Sequence, residues 1–135
     1  MLYFANNDYS FLMSHPDVNL YKDRALYMCQ QIVEQYLKHL LRVHFQEINE
    51  THNISYMVNK LIKVYPILRK YRSIVTTLRE CYYDRNYENV SYFEYDDNDF
   101  NEIYSEALEL IEYLRSVSNM DDIIVKSNLF TGQQE

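Results

Sequence analysis

One glycine, Gly132, and two prolines serve a chain of 135 residues, and this scarcity constrains the fold more than any other feature. Tight and left-handed turns draw on Gly, and Pro presets many of the others. A chain nearly without them is left with helices joined by short polar loops. The same scarcity removes whole functions. Phosphate-cradling loops and dinucleotide fingerprints need glycines so that backbone can approach phosphate, so neither a P-loop nor a Rossmann site can be built here. With 47% apolar and 24% charged residues, the chain has the make-up of a folded protein of one ordinary domain.

The formal charge of −7 argues against a nucleic-acid coat or a membrane-surface binder, which need a basic footprint, and leaves open a local basic site. Fifteen Tyr without Trp suit a core, an interface or a base-stacking surface, the first two by default. Cys29 and Cys81 sit among apolar residues on expected helices and read as buried free thiols rather than a disulfide. No apolar run approaches the length of a membrane span, and Met1 to Asp8 lacks a basic region and a signal core. The expectation is a cytoplasmic protein that does not engage membranes.

Along the chain, a short helix is expected from Leu2 to about Met13, broken at His15-Pro16. Ala25, Cys29, Ile32, Tyr36 and Leu40, flanked by Leu26, Val33 and Leu37, recur at three and four residues and predict a long amphipathic helix from about Val18 to His44. Thr51 is the expected N-cap of a helix to Tyr65, with Ile54, Met57, Val58 and Leu61 on one face, and Pro66 should break or kink it. Ile67, Tyr71, Ile74, Val75, Leu78, Cys81 and Tyr82 carry helical spacing to about Tyr83. Residues 84–98, rich in Asp, Asn and Tyr, read as a long ordered loop. Asp99 with Glu102 in capping-box spacing starts a last helix, with Phe100, Ile103, Ala107, Leu110, Ile111 and Leu114 as its stripe, expected to end near Ser118. This gives one domain over residues 1–118 and a C-terminal tail over 119–135.

Three stretches carry chemistry. The first is Gln30-Gln31-Ile32-Val33-Glu34-Gln35-Tyr36-Leu37-Lys38-His39-Leu40-Leu41, the second Thr51-His52-Asn53-Ile54, the third Asp84-Arg85-Asn86-Tyr87. In this order, over about Tyr21 to Leu114, they resemble the HEPN family (higher eukaryotes and prokaryotes nucleotide-binding). The third departs from the family's Arg-Tyr-Pro-Asp pattern, because Asn86 separates Arg85 from Tyr87 and no Pro follows. The resemblance implies an all-α, up-and-down bundle of four to five helices that forms a homodimer, often as the partner of a minimal nucleotidyltransferase. In many relatives the domain is a metal-independent ribonuclease or toxin whose motif is Arg-Asn-x-x-x-His-x-Tyr. Against that motif this chain reads Arg85-Asn86-Tyr87-Glu88-Asn89-Val90-Ser91-Tyr92, so Arg85, Asn86 and Tyr92 match and Val90 holds the His position. Attack by a ribose 2′-hydroxyl needs a base near neutral pKa and a cation on the phosphate, and Val90 supplies neither.

The reading therefore leans away from an enzyme and toward a nucleotide- or RNA-associated binding and regulatory subunit. A ribonuclease toxin of a toxin–antitoxin or phage-defence system is one alternative and a structural helical adaptor the other. Arg85, an obligate cation with a planar fork, is the first candidate for a phosphate contact, supported by Asn86, Tyr87, Lys38 and His52. Each has a plain competing role: an ion pair for Arg85, a packing or capping role for His52, a solvated helix face for Lys38, His39 and Arg42. The crowded Tyr82, Tyr83, Tyr87, Tyr92, Phe93 and Tyr95 suit an interface as well as base stacking. Asp96, Asp97 and Asp99 lack the spacing of a calcium loop. No metal or cofactor is expected.

Overall fold

The computed structural model describes the backbone of residues 2–48, 50–86 and 95–134, and the side chains of those up to residue 82 and from 95 to 118. Among the described residues five α-helices follow one another: α1 (Leu2–Met13), α2 (Lys22–Phe45), α3 (Ile54–Leu61), α4 (Arg72–Asn86) and α5 (Asp97–Gln134), with 3₁₀ turns at Val18–Tyr21 and Pro66–Tyr71. Among the described residues there is no strand. The protein is an all-α bundle built around α2, which packs against each of the other four helices.

The apolar stripe of α2 explains that central place. Ala25, Leu26, Cys29, Ile32, Val33, Tyr36, Leu37, Leu40 and Leu41 are all buried, more than one narrow seam, so the helix meets neighbours on several sides. Full burial of each large side chain contributes about 1.5–3 kcal/mol. Partners come from every other helix: Ala5 and Leu12 from α1, Ile54, Met57, Val58 and Leu61 from α3, Ile74, Val75 and Leu78 from α4, and Phe100, Ala107, Leu110, Ile111 and Leu114 from α5.

Helix ends depart from expectation for local reasons. The stretch expected to open α2 at Val18 is a 3₁₀ turn, and α2 itself starts at Lys22. It stops at Gln46, which takes φ 54° in the left-handed region and donates its N–H to Arg42 O at 3.0 Å, while Glu47 N reaches Leu41 O at 3.3 Å. A Gly usually fills this position; with none nearby, Gln46 accepts a cost of about 1–2 kcal/mol. The cap of α3 is Asn53, not Thr51: its side chain accepts from Tyr56 N, while Thr51 Oγ1 accepts from Asn53 N at 3.1 Å. Helix α3 ends at Leu61 rather than Tyr65, and Pro66 opens the second 3₁₀ turn. Ile67, expected in the apolar stripe, is 53% exposed because that turn breaks the register; Leu68 is buried instead.

Two differences bear on function. Helix α4 continues through Asp84, Arg85 and Asn86, so Arg85 lies on a helix and not in an irregular segment. Helix α5 begins at Asp97, where Asp96 Oδ1 accepts from Asp99 N at 2.7 Å, so Asp96 is the cap rather than Asp99. It runs to Gln134, well past Ser118. Residues 87–94, which include Tyr87, Val90 and Tyr92, lie outside the described residues.

Candidate functional site

Gln30, Glu34 and Lys38 stand four residues apart on α2 and therefore share one ridge. Glu34 is the focus: it is 5% exposed and lies beside Gln30, which is fully buried. Gln30 Nε2 donates to Glu34 Oε1 at 3.1 Å, and Gln31 Nε2 donates to Gln30 Oε1 at 2.8 Å. Lys38 Nζ sits 3.0 Å from Glu34 Oε2, with its side chain 11% exposed. A carboxylate this buried persists only when charge and hydrogen bonds compensate it, and here α2 supplies both.

The fourth partner crosses from another element. His52 precedes the Asn53 cap of α3 and directs Nδ1 at both carboxylate oxygens, 3.1 Å from Oε1 and 3.0 Å from Oε2. An ionised carboxylate only accepts, so Nδ1 carries the proton, and in the neutral ring Nε2 is then the acceptor. The His52 side chain is half exposed. Its ring centroid lies 5.3 Å from that of Tyr82 on α4, and Tyr82 stacks on Tyr27 of α2 at 5.8 Å with 5° between ring planes. Three elements thus converge: α2 with the buried carboxylate, the entry to α3 with the imidazole, and α4 with the ring against it. Arg85 follows Tyr82 by three residues, in the last turn of α4, and Asn86 ends that helix.

The structure brings Lys38 and His52, far apart in the sequence, onto one carboxylate. It also changes the role expected of Lys38. The amine belongs to Glu34, so the Lys38, His39 and Arg42 stretch is not a uniformly solvated basic face; of the three, Arg42 alone is exposed. Glu34 itself was not among the residues singled out from the sequence. Its signal is a carboxylate within the first motif stretch, four residues from both Gln30 and Lys38 and between the apolar Val33 and Tyr36 of the α2 stripe.

A second polar centre also escaped the sequence reading. Arg115 of α5 donates through NH1 to Tyr36 Oη at 2.9 Å and to Asn6 Oδ1 at 3.2 Å, and its guanidinium lies 3.9 Å from the centroid of the Tyr9 ring. Tyr36 donates to Asn6 and Tyr9 to Glu112. This network ties α1, α2 and α5 together. Burial raises the Tyr36 phenol, an effect the adjacent Arg115 opposes. Burial likewise pushes Tyr104 upward and the Cys29 thiol up to about 12. Cys29 and Cys81 are both free thiols, the first buried and the second partly so. Among the described residues, no group of three or more His, Cys, Asp or Glu is placed to hold a metal, and no helix is long and apolar enough to cross a membrane.

Comparison with curated proteins and with solved structures found no match. A profile of the HEPN domain matches residues 18–117, a span that contains α2, α3, α4, the Glu34 cluster and the first half of α5. The two motif stretches that supply Glu34, Lys38 and His52 meet at one buried carboxylate inside it, and the chain belongs to the HEPN family.

Proposed function

We propose that the protein is a nucleotide- or RNA-associated binding and regulatory subunit whose ligand-facing centre is His52 together with the last turn of α4, where Arg85 and Asn86 lie, and Tyr87 after it. The observation that carries this reading is the Glu34–His52 pair. A buried carboxylate fixes Nδ1–H, so a half-exposed imidazole is held in one tautomer. A simple latch between α2 and α3 needs no half-exposed ring, whereas a fixed acceptor beside an aromatic face is what recognition of a base or sugar edge requires. Arg85 brings the obligate cation for phosphate one helical turn beyond Tyr82. Lys38 enters as the ion-pair partner of Glu34, holding in place the carboxylate that orients His52.

The reading extends to a homodimer that works in the cytoplasm beside a minimal nucleotidyltransferase. Tyr3, Phe4 and Phe11 of α1 and Leu20, each between 54 and 78% exposed, offer apolar surface for a second copy. Two free thiols suit a reducing compartment. A metal-independent ribonuclease is the second reading, favoured by the helical placement of Arg85, which that motif requires, and opposed by Val90 at the motif's His position.

Titration with mononucleotides and short RNAs tests the proposal, with the wild type beside Arg85→Ala and His52→Ala. Weakening by about tenfold in each variant is expected, the loss of one charge-assisted or oriented hydrogen bond. Equal affinity in both variants removes these residues from the site. No binding by the wild type leaves the structural adaptor.

A further inference from the structure

The seam between α3 and α4 holds an open groove of about 370 Å³ lined by Ser55, Val58 and Asn59 from α3 and by Arg72, Val75 and Thr76 from α4. That volume lies within the roughly 300–1,000 Å³ typical of ligand clefts. The helices run antiparallel, since His52 at the start of α3 meets Tyr82 near the end of α4 while Val58 and Asn59 face Arg72 and Val75. The groove and the His52–Tyr82 contact therefore belong to one continuous seam. Arg72 and Tyr82 are ten residues apart, about 15 Å along the helix axis.

Charge marks this groove. The chain carries 20 acidic residues against 13 basic ones, yet the groove lining contains a guanidinium, three neutral polar side chains and no carboxylate. Helix α3 has no acidic residue at all. The first two turns of helix α4, from Arg72 to Arg79, carry no acidic residue either, and Glu80, one turn beyond Thr76 on the same ridge, is not among the residues lining the groove. Val58 and Val75 form an apolar floor between the polar groups. A guanidinium at one end, hydroxyl and amide donors along the walls and an apolar floor suit a phosphodiester with its base laid flat. In a chain this acidic, an acid-free groove is a segment on which a polyanion meets little repulsion.

We propose that the α3–α4 groove is a second phosphate subsite, with Arg72 as its cation and Ser55 and Asn59 as flanking donors, so that the ligand is a single-stranded RNA running along the seam from Arg72 to His52. This rests on the preceding functional reading and deepens it: a mononucleotide occupies the His52 end alone, whereas an oligonucleotide engages both ends.

The probes are uridine monophosphate and a labelled single-stranded oligouridylate of about eight nucleotides, a length within the usual range of single-strand sites. Both are titrated against the full-length wild type, Arg72→Ala, Asn59→Asp and Lys70→Ala. Asn59 and Arg72 are exposed, so neither change disturbs the core. Lys70, paired with Glu109 of α5 and absent from the groove lining, is the control that removes the same charge outside the groove. Oligouridylate binding should weaken about tenfold in Arg72→Ala and in Asn59→Asp, with the monophosphate unaffected and Lys70→Ala near wild type. The slope of log K against log salt for the oligomer should fall by about 0.7 in Arg72→Ala, one phosphate contact on a single strand. If the wild type binds the oligomer and both groove variants bind it equally well, the groove is not its path, while the functional reading stands. Equal losses in Lys70→Ala and Arg72→Ala overturn it too, as a net-charge effect. If the wild type binds neither probe, the functional reading itself fails and the subsite with it.

Discussion

Replacing Glu34 by Gln removes a charge from a place almost closed to water. Glu34 is 5% exposed and the Lys38 side chain 11%. In Glu34→Gln one carboxylate oxygen becomes an amide NH₂ that faces donors from Lys38, Gln30 and His52, and the Lys38 ammonium loses its counter-charge. Breaking a buried pair by removing one partner costs about 3–5 kcal/mol. Lys38 keeps a narrow opening to solvent and a flexible stem with which to reach it, so the lower end, about 3 kcal/mol, applies. A chain of this length loses roughly 2–4 °C per kcal/mol, so Tm should fall by about 6–12 °C. Adding Lys38→Met removes the stranded ammonium and should recover much of the loss, because an apolar side chain of similar volume does without compensation. Thermal melts followed by far-UV circular dichroism, with urea midpoints at unchanged m-value, measure both. A Glu34→Gln melt within about 2 °C of wild type, or a double variant no more stable than the single, would refute the view that Glu34 is held by compensation rather than tolerated at a wet surface.

Three more outcomes are open to measurement. Arg115→Ala should cost about 2–3 kcal/mol in urea titration, since it removes two hydrogen bonds and a cation over the Tyr9 ring; a loss near zero would make the α1–α2–α5 network ornamental. The Cys29 thiol is raised from 9.0 to about 12, chiefly by burial. Its contribution, about 4 kcal/mol at most, is therefore present in full below about pH 9 and lost as pH climbs toward 12. The buried tyrosines, also raised, add to the loss above about pH 10. Urea midpoints should decline over that range, less steeply in Cys29→Ala, and a flat profile would contradict the burial. Purified protein should cleave RNA weakly or not at all, because Val90 stands where the motif needs imidazole, and acid–base help is typically worth about 10² to 10⁴ in rate. Robust cleavage of end-labelled RNA that vanishes in Arg85→Ala would show that another His, His52 or His39, has been recruited in its place.

Much of the bundle was legible because helical periodicity is a local property. The α2 stripe, the first turn of α3 and the Phe100 to Leu114 stripe all appear in the core as their spacing predicts. The helix ends were less legible, because caps are decided by single side chains in competition. Thr51 and Asn53 are both good caps by type, and the backbone geometry that lets Asn53 accept from Tyr56 N settles between them. Asp96 and Asp99 pose the same choice, and Asp96 takes it. The extension of α4 to Asn86 ran against a composition rich in Asp, Asn and Tyr, residues of weak helix preference that a helix already nucleated upstream can carry.

The sequence alone determined the class of the molecule. With a single glycine and two prolines the chain is steered to helices, their apolar periods assign their inner faces, and its motif stretches carry the family. Only the tertiary structure decided the site. Glu34 and Lys38 are one turn apart and readable as an ordinary pair on a solvated face, and nothing in one dimension says that this ridge lies under the start of α3. Packing α3 and α4 against α2 buries Glu34, and a buried carboxylate must gather its partners: Gln30 and Lys38 from its own helix, and His52 from eighteen residues away. The acid-free groove between α3 and α4 arises in the same way, because charge can be counted along a chain, but a groove exists only once two helices lie side by side.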